Sequence, residues 1–484
     1  MNPPVPNWQQ VRTTFQQIWG HQDFRPPQAE IIQTLLASKD ALIILPTGGG
    51  KSICFQLPAL LQTGLTLVVS PLVALMENQV QDLRSRRLCA ATLHNEVPRT
   101  QRRQTLQEIE KQQLRLLYLS PETLFSPPVW ERLSHPQVKI NGLILDEAHC
   151  LVQWGENFRP AYRRLGAVRP ILLQSKPPNE KMAIAAFTAT ADPTSQKIIA
   201  ETLQLQQPDC FHLSPYRPNL NLQVKIAWTP KCRRHQLLQF INTQKKASGL
   251  IYVRTRRDSE TLAQWLSSLD YTTASYHAGL SPQERRELEA SWLEGNTQFV
   301  VCTSAFGMGI DKPNVRWVVH FQPTLLLSEY LQEVGRGGRD GNSAEALTLI
   351  SEPTGWLDPQ DKQRDRYFLN RLQKQYRQAQ QIIKKIPAQG TIDAIARQFP
   401  EGEMALSLLH SAGQLEWVDP FRYQLNLNQS SHTLSSFNLQ QRSQLLMRQY
   451  LTTRQCRWQF LLKAFGFTSQ ATGFRCGHCD NCQQ

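Results

Sequence analysis

Short apolar runs that stop abruptly in polar or glycine-rich turns recur along the first two thirds of the chain. Residues 41–45, 65–69, 114–119, 142–145 and 182–187 are such runs, with helical patterns between them, one over 71–84. Unbroken apolar segments of this length read as strands buried on both faces, so the alternation predicts a mostly parallel sheet with helices on either side. It begins again after 204–208, with strands expected at 249–253, 273–276, 299–303, 315–320 and 346–350. The pattern therefore predicts two consecutive α/β domains, over 1–206 and 207–351, with a helix–turn–helix over 7–36 ahead of the first strand.

Beyond residue 351 the pattern changes. A polar, basic helical stretch over 359–386 carries Arg364, Arg366, Arg371, Lys374, Arg377, Lys384 and Lys385, and forms a connector, 352–388. It reads as a solvated helix face or as a surface turned toward a polyanion. Helices at 392–399 and 403–411, then strands at 415–418 and 421–425, resemble a small winged-helix unit over 389–427. A polar linker leads to a last helical region, 439–464, within a terminal segment 428–484.

Composition narrows the class. A chain of 484 residues is long enough for roughly three domains with cores of their own. With 40% hydrophobic and 19% charged residues, and no run long enough to span a bilayer, a globular protein without a membrane partner is expected. The first residues lack the basic and apolar regions of a secretory signal, which predicts an intracellular, cytoplasmic location. A net charge of +14 favours a polyanion such as nucleic acid. Six of the ten cysteines are scattered, as reduced thiols would be, and four crowd the C-terminus.

Three stretches carry chemistry. Leu143-Ile144-Leu145-Asp146-Glu147-Ala148-His149-Cys150 is an apolar strand ending in two carboxylates and a histidine, at the rim where α/β proteins bind ligands. The pair suits a division of labour in which Asp146 helps hold Mg²⁺ and Glu147 aligns or deprotonates a water. Upstream, Pro46-Thr47-Gly48-Gly49-Gly50-Lys51-Ser52 follows a strand. Its glycines let backbone N–H groups approach phosphates, Lys51 reaches the terminal phosphates, and the Ser52 hydroxyl ligates Mg²⁺. Leu45 stands where the general phosphate-loop pattern has its first glycine. The second domain ends in Gln332-Glu333-Val334-Gly335-Arg336-Gly337-Gly338-Arg339. Guanidinium groups on such a turn can neutralise charge on a γ-phosphate, which predicts ATP held between the two domains with Arg336 and Arg339 stabilising the transition state.

Taken together, these motifs are similar to those of superfamily 2 helicases, and specifically of the RecQ family of DNA helicases, over roughly 15–351 and again over 456–482. The resemblance implies two RecA-like motor domains, ATP with Mg²⁺, and 3′-to-5′ movement on single-stranded DNA coupled to unwinding of duplex DNA in repair or recombination. Phe24-Arg25-Pro26-Pro27-Gln28 resembles the family's adenine-recognition segment, with Gln28 on the base edge and Arg25 on its face. Asp146-Glu147-Ala148-His149 resembles the DEAH box, Thr188-Ala189-Thr190 the motif linking ATP state to movement. Trp154 to Tyr162 resembles the aromatic-rich loop that senses single-stranded DNA and, with His149, relays its presence to the acids. Trp154 and Phe158 offer stacking faces and Arg159 charge, although the same spacing also fits a helical core stripe. Ser70, Arg254, Thr255, His277 and Thr303, all at strand ends, are implied to touch the DNA backbone, although Ser and Thr there also cap helices.

Cys456, then Cys476-Gly477-His478-Cys479-Asp480-Asn481-Cys482, can close a tetrahedral thiolate site. The set resembles the zinc-binding subdomain of RecQ proteins. An iron–sulfur cluster uses the same four thiolates, and His478 is expected to be a solvated bystander. Most members of the family it resembles place this unit close behind the second motor domain, whereas here about a hundred residues intervene between Ile350 and Cys456. The remaining alternatives are an RNA-directed motor and a zinc-stabilised DNA-binding module without activity; protein partners are not legible.

Overall fold

The structure, a computed structural model, describes residues 6–46, 48–152, 159–306, 310–426 and 435–483. By spatial contact the chain falls into two units, Met1–Leu213 with Gln373–Gln440, and Ser214–Leu372 with Gln441–Gln484.

The first unit is built on a seven-stranded parallel sheet. Its strands are β1 (Ala41–Ile44), β2 (Leu65–Val69), β3 (Ala90–Leu93), β4 (Leu116–Leu119), β5 (Ile140–Leu145), β6 (Ala183–Thr188) and β7 (Asp209–His212), in the order β3-β4-β2-β5-β6-β1-β7. Alternate residues of one strand enter different cores: Leu42 and Ile44 pack on one face, Ala41 and Ile43 on the other. That two-sided burial explains why the strands read as unbroken apolar runs. The sequence pattern missed β3, whose Ala90-Ala91-Thr92-Leu93 is too small and polar to stand out, and β7, whose Asp209-Cys210-Phe211-His212 is polar. Since β7 pairs with β1, the first sheet runs past the expected boundary at 206.

A buried ion pair fastens this sheet. Both Asp40 carboxylate oxygens accept from Arg169 Nη1 at 2.7 Å, and they also receive the backbone N–H of Ile184 at 2.8 Å and of Gln206 at 2.6 Å. One side chain thus ties the start of β1 to β6 and to the turn before β7.

The second unit carries six parallel strands, β8 (Leu220–Ala227), β9 (Gly249–Tyr252), β10 (Thr273–Tyr276), β11 (Phe299–Cys302), β12 (Trp317–His320) and β13 (Ala344–Ser351), ordered β10-β11-β9-β12-β13-β8. Ile251, Val301 and Val319 fill one core while Leu250, Val300 and Val318 fill the other. The unexpected strand is β8, whose Lys225 and Gln223 break the apolar run because it lies at the sheet edge.

Helix Gln360–Ile383 carries the chain back into the first unit, where β14 (Gln389–Thr391), helices Ile392–Gln398 and Gly402–Ser411, and the hairpin β15 (Leu415–Asp419) and β16 (Arg422–Leu425) form the winged-helix-like module. Its hairpin turn docks on the first sheet's helical layer. Phe421 meets the rings of Trp130 and Phe125 edge-on at 5.4 and 6.2 Å, and Arg164, stacked on Phe125, donates to Pro420 O at 3.2 Å. The single helical region expected at 439–464 is two helices, Ser435–Thr452 and Arg457–Ala464, parted before Cys456. No helix among the described residues is long and apolar enough to cross a membrane.

Replacing Asp40 with Ala leaves the buried Arg169 charge without its carboxylate and the Ile184 and Gln206 N–H groups without their acceptor, so the first unit should lose about 3–5 kcal/mol. Denaturant titration of the first unit's transition checks this, and a change below 1 kcal/mol would remove Asp40 as its fastener.

Candidate active site and metal centre

The loop after β1 turns on glycines where the backbone requires them. Gly48 and Gly50 have φ of 83° and 71°, and helix Lys51–Leu61 starts directly after. A side chain at Gly50 would be strained by its left-handed backbone and would collide with the Gln28 amide. Gln28 is buried; its Oε1 accepts from Arg25 N at 2.9 Å and its Nε2 donates to Gly49 O and Gly50 O at 3.3 and 3.4 Å. The segment expected to read adenine is thus bonded to the phosphate loop itself. The Arg25 side chain is exposed, Ser52 opens the helix beside Lys51, and Thr47 lies outside the described residues.

Asp146 and Glu147 leave the rim of β5 two strands from the phosphate loop. Glu147 has φ 53° and ψ 47°, a left-handed conformation that is costly for a residue with a side chain. Its Oε1 lies 3.8 Å from Lys51 Nζ and its Oε2 3.2 Å from His149 Nδ1. The same His149 nitrogen is 3.2 Å from Thr188 Oγ1, and Thr188 Oγ1 donates to Thr190 O at 3.2 Å. Lysine, acid, histidine and the Thr188-Ala189-Thr190 segment therefore form one polar chain, half-buried at Lys51 and buried from Glu147 onward. Asp146 is pushed up to about 6, first by burial and then by the Glu147 charge, against the pull of Lys51. Burial pushes His149 toward neutrality, but the Cys150 thiol and the Glu147 carboxylate outweigh it and hold the ring up at about 10.

In the second unit Gln332 is buried on helix Leu327–Val334. Arg336 is buried too and faces Tyr252 and Glu333. Arg339 donates to Asp311 Oδ1 at 2.8 Å and to Ile310 O at 3.3 Å.

The residues expected on a DNA track are mostly turned to their own fold. The Arg254 side chain is turned inward and bonded to Glu333 at 3.1 Å; burial would raise that carboxyl, but Arg254 and His320 hold it down. His277 meets Glu260 at 2.9 Å, and Arg159 meets Glu122 at 3.3 Å on the surface. The Thr255 hydroxyl caps helix Arg256–Ser267 by accepting from Asp258 N at 3.0 Å. Ser70 is buried, Thr303 is half-buried, and Trp154 and Phe158 lie outside the described residues. Sequence reading singled out none of the acid partners Glu122, Glu260 and Asp311, because each lies 17 to 37 residues from the side chain it meets.

The four C-terminal cysteines converge. All four Sγ atoms lie within 4.8 Å of one another, with Cys476–Cys482 at 3.9 Å and Cys456–Cys479 at 4.0 Å. Four sulfurs bonded to one ion at about 2.3 Å stand about 3.8 Å apart in a tetrahedron, so the set fits zinc. Backbone N–H groups of Cys476, Cys479 and Arg457 point at sulfurs from 3.3 to 3.4 Å, which favours thiolates. Arg457 is buried and bonded to Asp480 and Tyr450 O, and Asp480 accepts from Val224 N of edge strand β8 at 2.8 Å. Trp458 donates to Leu220 O at 3.1 Å. His478 is no solvated bystander: its Nε2 lies 3.3 Å from the Tyr216 hydroxyl, a contact the local sequence could not show.

Residues 25–198 match the family described as DEAD/DEAH box helicase, 232–341 the helicase conserved C-terminal domain, and 421–483 the RecQ zinc-binding family. The chain is 54% identical to the ATP-dependent DNA helicase RecQ of Synechocystis over 475 residues, covering 98% of each. It is 38% identical to the ATP-dependent DNA helicase RecQ of Pasteurella multocida, over 73% of this chain and 54% of that one. Among solved structures, DEAD-box helicase Mss116 bound to ssRNA and UDP-BeF aligns with a TM-score of 0.59 at 19% identity, over 72% of this chain and 74% of that chain. The DUF1998 helicase MrfA bound to DNA aligns with 0.59 at 17%, over 90% and 64%. At that identity the likeness is one of fold.

The cysteine geometry predicts one zinc per purified chain. Stripping it with a thiol reagent and chelator should expose Trp458 and shift its fluorescence to the red. A metal-free protein with an unchanged spectrum, or a visible absorption band from bound iron, would contradict a structural zinc site.

Proposed function

Because the chain belongs to the RecQ family of ATP-dependent DNA helicases, we propose that it hydrolyses ATP in response to single-stranded DNA, moves 3′ to 5′ along it and separates duplexes in DNA repair or recombination. The observation that carries this reading is the polar chain from Lys51 through the buried Glu147 and His149 to Thr188. Such an arrangement can bind phosphate at one end and register a shift of the polypeptide at the other.

In this reading the phosphate-loop N–H groups and Lys51 bind the β- and γ-phosphates. Ser52 and Asp146 hold Mg²⁺, which when bound with ATP neutralises phosphate charge. Glu147, poised between Lys51 and His149, accepts the proton of the attacking water. Arg336 and Arg339 stabilise the γ-phosphate as charge builds on it, Arg339 exchanging Asp311 for it. Gln28 and Arg25 receive the adenine, Gln28 giving up its bonds to the loop. Ser70, Thr255 and Thr303 contact the DNA backbone, Arg254 and His277 position the loops that do so, and Trp154, Phe158 and Arg159 stack on and pair with the strand. The protein acts inside the cell, on DNA.

Lys51→Ala should abolish DNA-stimulated hydrolysis while leaving DNA binding measurable. Turnover persisting in that variant would refute the assigned site, and stimulation by RNA equal to that by matched DNA would refute the substrate.

The Asp146 shift gives a pH dependence. A carboxyl raised from its ordinary 3.8 to about 6 contributes stability below the ordinary value that is lost as pH rises through about 6. Mg²⁺·ATP requires the ionised form, so its affinity should fall about tenfold per pH unit below that point and be flat above it. Titration of a fluorescent nucleotide between about pH 5 and 7.5 checks this, with Asp146→Asn expected to flatten the curve.

A further inference from the structure

Two tryptophans stand bare on the second unit, at the same carboxyl rim of the sheet that carries the strand-end residues assigned to DNA. Trp228 follows β8 and is 56% exposed; Trp356 follows β13 and is 86% exposed. The strands are parallel neighbours, with Ala227 beside Ser351, so the two chains leave the sheet side by side. Burying tryptophan is strongly favourable, and a side chain as nearly free of contact as that of Trp356 is unusual for this residue type.

The loop that presents Trp356 is held rigidly. Buried Glu352 accepts from Thr354 N and Thr354 Oγ1 at 2.7 and 2.6 Å and from Leu357 N at 3.0 Å. Trp356 N donates to Thr354 Oγ1 at 3.2 Å. At the loop's end Arg233 is fully buried and bonded to Asp358 at 3.1 Å and to Asp361 at 2.8 Å, and also to Phe321 O. A pre-ordered aromatic loses little entropy when something stacks on it.

Charge decides what that is. The acids of this region are paired: Asp358 and Asp361, turned inward, with Arg233, Asp361 also with Arg364, and the half-exposed Asp365 with Arg448 at the surface. The exposed charges left on the same segments are Lys225, Lys231 and Lys362, with Arg234 stacked on Trp265 and Arg366 on the next turn of the helix. Bare rings among uncompensated cations suit a single strand, whose bases stack and whose phosphates pair.

We infer that Trp228 and Trp356, with Lys225, Lys231 and Lys362, form an additional single-stranded DNA platform that extends the strand path along the rim from β9, β10 and β11 to β13 and β8. In the sheet order, β13 and β8 lie two and three strands from β9, about 10 and 14 Å away. A strand held at the first contacts therefore meets the platform only if it is long enough. The inference rests on the DNA-directed reading above.

The test compares anisotropy of labelled oligodeoxythymidines of two lengths, a short one confined to the motor track and a long one that continues past it, on the full zinc-loaded chain. With Trp228→Ala and Trp356→Ala combined, affinity for the long strand should fall at least about tenfold and that for the short strand should be unchanged. Replacing both with Tyr should restore most of the loss. Changing Lys225, Lys231 and Lys362 to Gln should lower the salt slope for the long strand by about 2. Unchanged long-strand affinity in the double variant, as a protein-binding surface would give, overturns the platform, and so does an equal loss at both lengths that Tyr does not restore. DNA-stimulated hydrolysis by the unaltered chain is measured alongside: if it is absent, the motor reading fails, a result separate from any loss confined to the variants.

Discussion

Two carboxylates and a histidine are buried together at the end of an apolar strand, with the half-buried Lys51 beside them, and that burial of charge constrains the first unit. Charges removed from water must find partners or change protonation. Here Glu147 is shared between Lys51 and His149, and Asp146 answers by holding its proton to a higher pH. An arrangement this poorly solvated is poised for ligands that supply the missing charge. It explains why the phosphate loop, the acids and Thr188 sit at one rim, since only the carboxyl ends of β1, β5 and β6 bring them together.

The C-terminal third is divided between the two units in a way that linear order conceals. The winged-helix-like module packs within the first unit by its hairpin turn, where Phe421 meets the rings of Trp130 and Phe125 edge-on. The cysteine unit packs on the second, covering the edge of β8 through Asp480 and Trp458. An edge strand with unpaired N–H groups invites association with other chains, so this cover has a structural use apart from any DNA contact.

Much of this was legible in the sequence. The central strands were, because burial on both faces demands unbroken apolar runs. So was the cysteine cluster, because thiolate spacing is chemically narrow. Strands β3, β7 and β8 were not: each lies at or beside a sheet edge, where polar residues such as Gln223 and Lys225 are tolerated. The domain order was only partly legible, since the polar β7 belongs to the first sheet and no local pattern says where a hairpin will dock. Within the site, the loop and acids were readable from residue type, but the orientation of Gln28 and the partners of Arg254, His277 and Arg339 depend on acids and carbonyls distant in sequence.

The central claim is that Glu147 acts on the water while its neighbours bind the nucleotide. Its most direct test is Glu147→Gln, assayed for ATP affinity and for single-turnover hydrolysis with DNA present. ATP affinity within a fewfold of the unaltered chain, with hydrolysis slowed at least about 100-fold, is the expected result. Hydrolysis within about tenfold of the unaltered rate would contradict the account, because a positioned general base contributes more than that.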